Sequence, residues 1–328
     1  MKLVRTEDAV GQVLCHDITQ IIPGVVKDAV FRKGHIVTKE DIPVLLSVGK
    51  ENLYIWEKQE GMLHENEAAE ILRQICQGEH MHPSEVKEGK IELIADCEGV
   101  LKINTEKLNA VNNLGEMMIA SRHGNFPVKT GDKIAGTRII PLVIEEEKMQ
   151  KACEVAGKKP IFRILPYQKK KAGIVTTGSE VYYHRIEDKF TPVVIEKLKE
   201  CGVTEVKQIQ CNDDHEMIME AIQTLIEDGS DLIVCTGGMS VDPDDRTPLA
   251  IKNACTEVVT YGAPVLPGAM FMLAYCEKEG RQIPVMGLPG CVMYAKRTIF
   301  DLVLPRIMCD EKLHRSEERR VGKECRSR

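Results

Sequence analysis

The stretch from Ala172 to Leu304 alternates short apolar strands with amphipathic helices, and this alternation limits the possible folds more than any other feature. The segment DLIVC at 231–235 is almost wholly apolar, which is typical of a parallel strand covered on both faces. Helices that connect parallel strands cross over in the right-handed sense and cover both faces of the sheet. We therefore predict an α/β fold for residues 166–312, a mostly parallel sheet in a three-layer α/β/α arrangement.

Two helix starts in this stretch carry recognisable capping residues. Thr191 and Pro192 precede the run VVIEKLKEC, which Gly202 closes, so we predict Thr191 as the N-cap of this helix. Asp213, with Glu216 three residues later, has the spacing of a capping box for the helix DHEMIMEAIQTLIED. The capping signals therefore predict two well-defined helices between the strands.

The first 165 residues form a mixed α+β region with many short strands. We predict a strand near Val30, a short helix from Asp41, an amphipathic helix over 67–76 and a charged helix over 145–155. Short strand-like runs separated by turns occupy 90–142, which indicates a β-rich part.

Two further segments are interpreted as irregular. The segment GEHMHPSE at 78–85 reads as a solvated loop, in which His80 and His82 are not metal ligands. Residues 313–328 form a basic stretch without apolar periodicity, for which we predict a disordered tail and hypothesise that it is foreign to the domain. A domain boundary is expected near residue 165.

Composition excludes several classes of protein. A chain of 328 residues is long enough for two domains, and its net charge of -6 and pI near 5.9 argue against a nucleic-acid partner. The 12 cysteines contain no CxxC pair, as expected for reduced thiols in a cytoplasmic protein. No run approaches the roughly 20 apolar residues of a membrane span. We expect a cytoplasmic protein without a nucleic-acid or membrane partner.

Three strands of the α/β region run into small loops that contain glycine. Because the carboxyl ends of strands form the ligand crevice of an open α/β sheet, these loops are expected to converge. Their backbone N–H groups and hydroxyls are suited to bind a phosphate. The candidate binding residues are Thr176, Thr177, Gly178 and Ser179 in the first loop, Thr236, Gly237, Gly238 and Ser240 in the second, and Pro289 and Gly290 in the third.

Carboxylates cluster near the same edge of the predicted sheet. Glu180, Asp213 and Asp245 are the candidate catalytic and metal-binding residues, and Asp214, Asp242 and Asp244 lie beside them in the sequence. Several acids beside a phosphate site would repel the ligand unless a cation lay between them, so the charge balance indicates a bridging Mg²⁺. Each acid can also serve in a helix cap or a turn, which leaves the structural alternative open.

Four motifs in this order resemble the molybdopterin-binding domain shared by molybdopterin adenylyltransferase and molybdopterin molybdenumtransferase, the molybdenum insertase. The motifs are TTGSE at 176–180, DDHEMI at 213–218, TGGMSV at 236–241 with Asp245, and GLPG at 287–290. The segment 31–56 is also similar to the part of the insertase that precedes its pterin domain.

The resemblance implies a role in molybdenum cofactor biosynthesis. It implies that molybdopterin or adenylyl-molybdopterin binds in the crevice, and that Mg²⁺ is held by the acids at positions 180, 213 and 245. It further implies that molybdate is inserted into the dithiolene with release of AMP, and that the protein is a homodimer.

The chain departs from the insertase pattern at three points. It has no Asn-Ser-Ala-Met-Asp-Gly-Tyr-Ala motif, the family's Pro-Gly-Lys-Pro stands as Pro267-Gly268-Ala269-Met270, and Cys291 follows GLPG in place of Asn. Two readings stay open: a transferase of the insertase type, and a carrier or sensor that binds the pterin without chemistry. A hydrolase acting on a nicotinamide nucleotide is a third, because a similar domain occurs in such enzymes.

Overall fold

The computed structural model describes residues 2–22, 26–55, 60–240, 242 and 245–315, without the side chains of residues 21, 22, 26 and 27. Residues 316–328 of the predicted disordered tail lie outside the described residues. Asp244 also lies outside them. The chain divides into two compact units. The first comprises Met1–Cys97, Leu101–Gly124 and Lys129–Ile164, and the second comprises Glu98–Val100, Asn125–Val128 and the chain from Leu165 onward.

Within its described residues, the first unit contains short strands and four α-helices. Its strands are β1 (Lys2–Arg5), β2 (Ile18–Ile22), β3 (Val26–Phe31), β4 (Asn52–Ile55), β5 (Met62–His64), β6 (Met81–Pro83), β7 (Lys90–Ala95), β8 (Gly99–Ile103), β9 (Met117–Ser121), β10 (Pro127–Val128), β11 (Lys133–Ile139), β12 (Val143–Glu145) and β13 (Phe162–Pro166), of which β8, β10 and β13 lie wholly or partly in the second unit. Its helices are α1 (Asp41–Ser47), α2 (Glu65–Cys76), α3 (Thr105–Asn112) and α4 (Glu146–Ala156).

Most predicted elements of this unit are confirmed, but the loop at 78–85 is wrong in part. Met81–Pro83 is a strand that pairs with β7, and the His82 ring bonds the Asp96 carboxylate instead of lying free in a loop. Helix α3 has no counterpart in the prediction, because it is short and only weakly amphipathic; the Asn104 side chain caps it by accepting the N–H of Lys107.

The first unit is built around small apolar clusters. One cluster, which includes Leu14, Leu45 and Leu53, lies beneath α1 and the β1–β4 pair. Farther along the chain, α2 packs against α4 and against β7 and β11 of a four-stranded sheet with the order β6-β7-β11-β9. None of the helices in the described part of the chain is both long and apolar enough to cross a bilayer.

The second unit is a three-layer α/β/α domain, which confirms the predicted fold class. Its sheet has the order β15-β14-β16-β19-β18-β17, in which the first four strands are parallel and the last two antiparallel. The strands are β14 (Lys170–Thr176), β15 (Val203–Gln210), β16 (Leu232–Thr236), β17 (Glu257–Tyr261), β18 (Met272–Lys278) and β19 (Arg281–Leu288), and the helices are α5 (Ser179–Tyr182), α6 (Phe190–Glu200), α7 (His215–Glu227), α8 (Thr247–Ala254) and α9 (Ile299–Met308).

Strand β16 shows why the sheet is covered on both faces. Leu232 and Val234 point into the apolar cluster formed with α6 and α9, whereas Ile233 and Cys235 point into the cluster formed with α7 and α8. All five residues of the strand are buried. A strand with two buried faces needs a continuous apolar run, and this is the pattern that predicted the parallel sheet.

Candidate functional site

Strands β14, β16 and β19 are neighbours in the sheet and end level with one another. Thr176 at the end of β14 lies opposite Thr236, and Thr236 lies opposite Leu288 at the end of β19. The three glycine-containing loops therefore leave the same edge of the sheet side by side. Convergence of these loops, expected from the sequence, is observed.

A buried threonine joins the first two loops. The backbone N–H of Thr177 donates to the carbonyl oxygen of Thr236 at 2.8 Å, and its hydroxyl lies 3.1 Å from the same oxygen. That hydroxyl is also 3.0 Å from the hydroxyl of Thr247, the first residue of α8. Thr177 thus fixes the second loop and the start of α8 relative to the first loop.

Gly237 and Gly238 are required by this close approach. Both have positive φ angles, +88° and +54°, which residues with a side chain rarely adopt. A Cβ on Gly237 would lie 2.3 Å from the carbonyl oxygen of Thr177, and one on Gly238 would lie 2.7 Å from the Thr247 hydroxyl oxygen. The two glycines let the loop pass directly over Thr177.

The third loop is shaped differently. Pro289 is buried and precedes a 3₁₀ helix over Gly290–Met293. A Cβ on Gly290 would meet no atom within 4 Å, so its backbone borders open space. Gly290 is thus exposed with its Cβ position free, whereas the glycines of the second loop make room for the chain itself.

Thr176 belongs to a polar network that could not be predicted from the sequence. Its hydroxyl is 2.8 Å from the Thr191 hydroxyl and accepts a hydrogen bond from Gln208 Nε2 at 2.8 Å. Gln208 also donates to Asp188 at 3.1 Å. The prediction of Thr191 as N-cap is wrong: the Asp188 carboxylate accepts the N–H groups of Phe190 and Thr191, so the Thr191 hydroxyl is available to Thr176. Only the fold brings these residues together.

One buried hydroxyl at this edge lacks a partner. Thr236 is 1% exposed, and its Oγ1 makes no hydrogen bond within the described residues. Leaving a buried polar group unsatisfied costs about 1–3 kcal/mol. A ligand that offers a donor or an acceptor at the end of β16 would recover this loss.

Asp213 and its neighbour have different roles from those the capping box assigned. Asp214 is the N-cap of α7 and accepts the N–H groups of Glu216 and Met217, both at 3.0 Å, so the expected cap at Asp213 is wrong. These bonds hold the pKa of the Asp214 carboxyl below its usual range. Asp213 accepts the N–H of Ser179 at 2.8 Å, which brings it to the loop that carries Glu180.

Asp245 lies at the second loop. Its carboxylate accepts the N–H of Ser240 at 2.8 Å, and the hydroxyl of Tyr261 lies 3.4 Å from the carbonyl oxygen of Ser240. Glu180 is exposed, and its carboxyl group bends back to within 3.4 Å of the place where a Cβ on Gly178 would stand. Glu180 therefore belongs to the first loop and Asp245 to the second, whereas Asp213 lies between β15 and α7 and hydrogen bonds to the first loop.

The three acids do not form a ready-made metal site. Within the residues that the structure describes, no three His, Cys, Asp or Glu side chains are grouped closely enough to hold an ion. Their chemistry suits Mg²⁺, which commonly takes one or two protein carboxylates and completes its shell with water and ligand phosphates. Carboxylates on the loops that follow three neighbouring strands, β15, β14 and β16, fit an ion that arrives with a phosphate.

A cavity of about 480 Å³ lies at the opposite edge of the sheet, at the amino ends of the strands. Lys170, Asp231 and Arg281 line it, and their charges are compensated, because Arg281 lies 3.1 Å from Asp231 and Lys170 pairs with Asp310. The cavity volume alone would suggest a binding site at this amino edge. The glycine loops, the unpartnered hydroxyl and the carboxylates, however, are at the carboxyl edge. We place the candidate site at the carboxyl edge, because anion binding depends on those groups.

The fold and this edge define an open α/β domain, the class of protein in which ligands bind outside the carboxyl ends of the strands. Residues 173–308 match a family model described as a probable molybdopterin binding domain. Residues 3–57 match a second model, described as a domain of unknown function, DUF8806.

Curated relatives match over less than a third of this chain. A CinA-like protein of Mycobacterium sp. (strain MCS) is 35% identical over 85 residues, which cover 26% of this chain and 20% of that protein. A CinA-like protein of Mycobacterium avium (strain 104) is 34% identical over 95 residues, which cover 29% of this chain and 22% of that protein. The chain thus spans about a fifth of the length of these relatives.

Solved structures match over somewhat less than half of this chain. The tungsten cofactor synthesizing protein MoaB from Pyrococcus furiosus is 20% identical with a TM-score of 0.35, covering 49% of this chain and 99% of that one. The protein CinA with unknown function from Thermoplasma acidophilum is 16% identical with a TM-score of 0.35, covering 43% and 98%.

Proposed function

We propose that the second unit binds molybdopterin, or its adenylylated form, at the carboxyl edge of its sheet, and that the protein acts in molybdenum cofactor biosynthesis. This proposal rests on the hydrogen bonds of Thr177 to Thr236 and Thr247, which hold two glycine loops side by side. The buried, unpartnered hydroxyl of Thr236 lies next to these loops. Backbone N–H groups and small hydroxyls in such an arrangement bind phosphate oxygens. The match of residues 173–308 to the pterin-binding family supports the choice of ligand.

We propose further that the adenylylated form is a substrate, with molybdate inserted and AMP released. Glu180, Asp213 and Asp245 would hold Mg²⁺, which when bound would neutralise charge that develops on the phosphates. The N–H groups of the glycine loops would orient the phosphate chain, and Asp213 would hold the Ser179 loop in place through its 2.8 Å hydrogen bond. The protein would work in the cytoplasm as a homodimer.

Binding and turnover can be tested separately with adjacent carboxylates as matched variants. Fluorescence titration with molybdopterin should show saturable binding, and AMP should appear when adenylyl-molybdopterin, molybdate and Mg²⁺ are present. We expect Asp213→Asn to reduce AMP release at least tenfold. Asp214→Asn should leave it within about twofold, because Asn is as good an N-cap as Asp.

Each result has a distinct meaning. Absence of saturable pterin binding would overturn the proposed ligand. Binding without AMP release would contradict the transferase and support the second candidate, a carrier of the pterin. One observation favours that candidate: Ala269 stands where the insertase pattern has Lys, so this position supplies no cation to the phosphates.

A further inference from the structure

Two cysteines lie in direct contact beneath the sheet of the second unit. Cys255 directly follows α8, and Cys276 is on β18. Their Sγ atoms are 2.7 Å apart, compared with about 2.05 Å in a disulfide bond. Two sulfur atoms at this separation are close to bonding distance.

Strand pairing holds the two residues in this position. Glu257 on β17 lies opposite Tyr275 on β18, and the N–H of Thr256 donates to the carbonyl oxygen of Tyr275 at 3.0 Å. Cys255 lies two residues before Glu257, and Cys276 directly follows Tyr275, so this pairing holds the two cysteines next to each other at the start of β17. The contact follows from backbone hydrogen bonds and does not depend on a mobile loop.

The two thiols differ in exposure and acidity. Cys276 is 5% exposed and packs in the cluster beneath α7 and α8, whereas Cys255 is only partly buried. The Cys255 thiol hydrogen bonds to the Cys276 sulfur, which lowers the pKa of Cys276 and raises that of Cys255. Cys255 is the more exposed thiol, which a small oxidant can reach, and the Cys276 sulfur, 2.7 Å away, is placed to attack it once Cys255 has been oxidised.

We propose that Cys255 and Cys276 are a redox modification site that closes to a disulfide when the protein meets a hydroperoxide. Hydrogen peroxide transfers one oxygen to the Cys255 thiol, which becomes a sulfenic acid, and its other oxygen leaves as water. The Cys276 sulfur then attacks the Cys255 sulfur, the S–O bond breaks, and the hydroxide takes the Cys276 proton to form a second water. Each sulfur loses one electron, and the peroxide gains these two electrons. A thiol reductant reverses the change.

The bond would act on a helix that reaches the candidate site. Helix α8 begins at Thr247, whose hydroxyl contacts Thr177, and it ends one residue before Cys255. Its eight residues span about 12 Å. The disulfide would join the carboxyl end of this helix to β18 and enclose the chain between the two cysteines, which restricts the unfolded chain and stabilises the folded one.

The sequence around the pair makes a direct test possible. Trypsin cleaves after Lys252 and Lys278 and has no site between them, so both cysteines fall in one peptide, 253–278. The full-length protein, freed of reductant, is treated with hydrogen peroxide, alkylated under denaturing conditions, digested and weighed. We expect this peptide to lack alkyl groups and to be lighter than the reduced peptide by two hydrogen atoms. After dithiothreitol, it should carry two alkyl groups.

Variants distinguish this pair from the other thiols. We expect oxidation to raise the melting temperature of the wild type by several degrees. Cys255→Ser should prevent the intramolecular bond and abolish this rise. Cys153→Ser removes an exposed cysteine of the first unit and should change neither result. Two alkyl groups after peroxide treatment, a link from either cysteine to Cys235 or Cys211, or oxidation beyond the sulfenic acid in place of the bond would overturn the proposal.

Discussion

Gly237 is a position in the candidate site at which only glycine fits without a shift of the backbone. The Thr177 carbonyl oxygen occupies the space that a methyl group would need, at 2.3 Å from the ideal Cβ position. A backbone atom in a buried strand end cannot move aside as a flexible side chain can. The loop must therefore shift if any other residue is placed there.

We predict that Gly237→Ala weakens pterin binding at least tenfold and lowers the melting temperature of the second unit. The matched control is Gly229→Ala, because Gly229 has nearly the same φ angle, +89°, but nothing within 4 Å of its Cβ position. It bears only the backbone strain, about 1–2 kcal/mol, at a site remote from the loops. Fluorescence titration of both variants compares the two effects, and equal losses of affinity would contradict the steric explanation.

At the scale of elements, helix α2 contains a carboxyl group with an unusual environment. Glu65, the first residue of α2, is 8% exposed, and burial raises its pKa to about 7. The folded protein therefore keeps the Glu65 proton between pH 4.5 and 7, while the unfolded chain releases it. Since the folded state binds more protons in this range, its stability falls as the pH rises.

We predict that the free energy of unfolding of the first unit falls by up to about 3 kcal/mol between pH 4.5 and 7 and changes little above pH 7 through this group. Glu65→Gln should remove this part of the pH dependence, whereas Glu85→Gln, an exposed carboxyl in the same unit, should retain it. Urea unfolding followed by the fluorescence of Trp56, the only tryptophan, provides the measurement. An unchanged slope in Glu65→Gln would show that another group is responsible.

Helices and strands with a strong apolar periodicity were predictable from the sequence. Those that form only because a neighbouring element pairs with them were not. The apolar run at 232–235 and the helical spacing in α7 indicate their structures without reference to the rest of the chain. Strand β6 is too short to show a pattern and forms because β7 offers its edge. The same holds at the site: the glycine loops were visible, but the Thr176–Thr191–Gln208 network joins residues from three separate segments.

At the scale of the whole molecule, the order of the chain and the division into units do not coincide. Residues 98–100 and 125–128 belong to the second unit although they lie far ahead of it in the sequence. Val128 pairs with Gly99, and a Cβ on Gly99 would stand 2.1 Å from the carbonyl oxygen of Leu165. A single cut near residue 165 therefore does not separate one complete unit from the other.

We predict that Gly99→Ala destabilises the second unit by about 2 kcal/mol or more, because a backbone oxygen must move to admit the methyl group. Gly136→Ala is the matched control: Gly136 also lies in a strand, and its Cβ position is open. Amide hydrogen exchange of β14 and β16 reports on the second unit. Equal protection in the two variants would contradict this interpretation of Gly99.

The level ends of β14, β16 and β19 also bear on how such a domain can diverge. Adjacent strands are about 4.8 Å apart, so the two outer loops leave the sheet only about 10 Å from each other. The apolar clusters that stabilise the sheet lie along the strands, below these loops. Residues at the loop tips can therefore change over evolutionary time while the interior stays the same, and a lineage could acquire a new ligand, or lose its chemistry and keep binding, by altering a few positions at one edge.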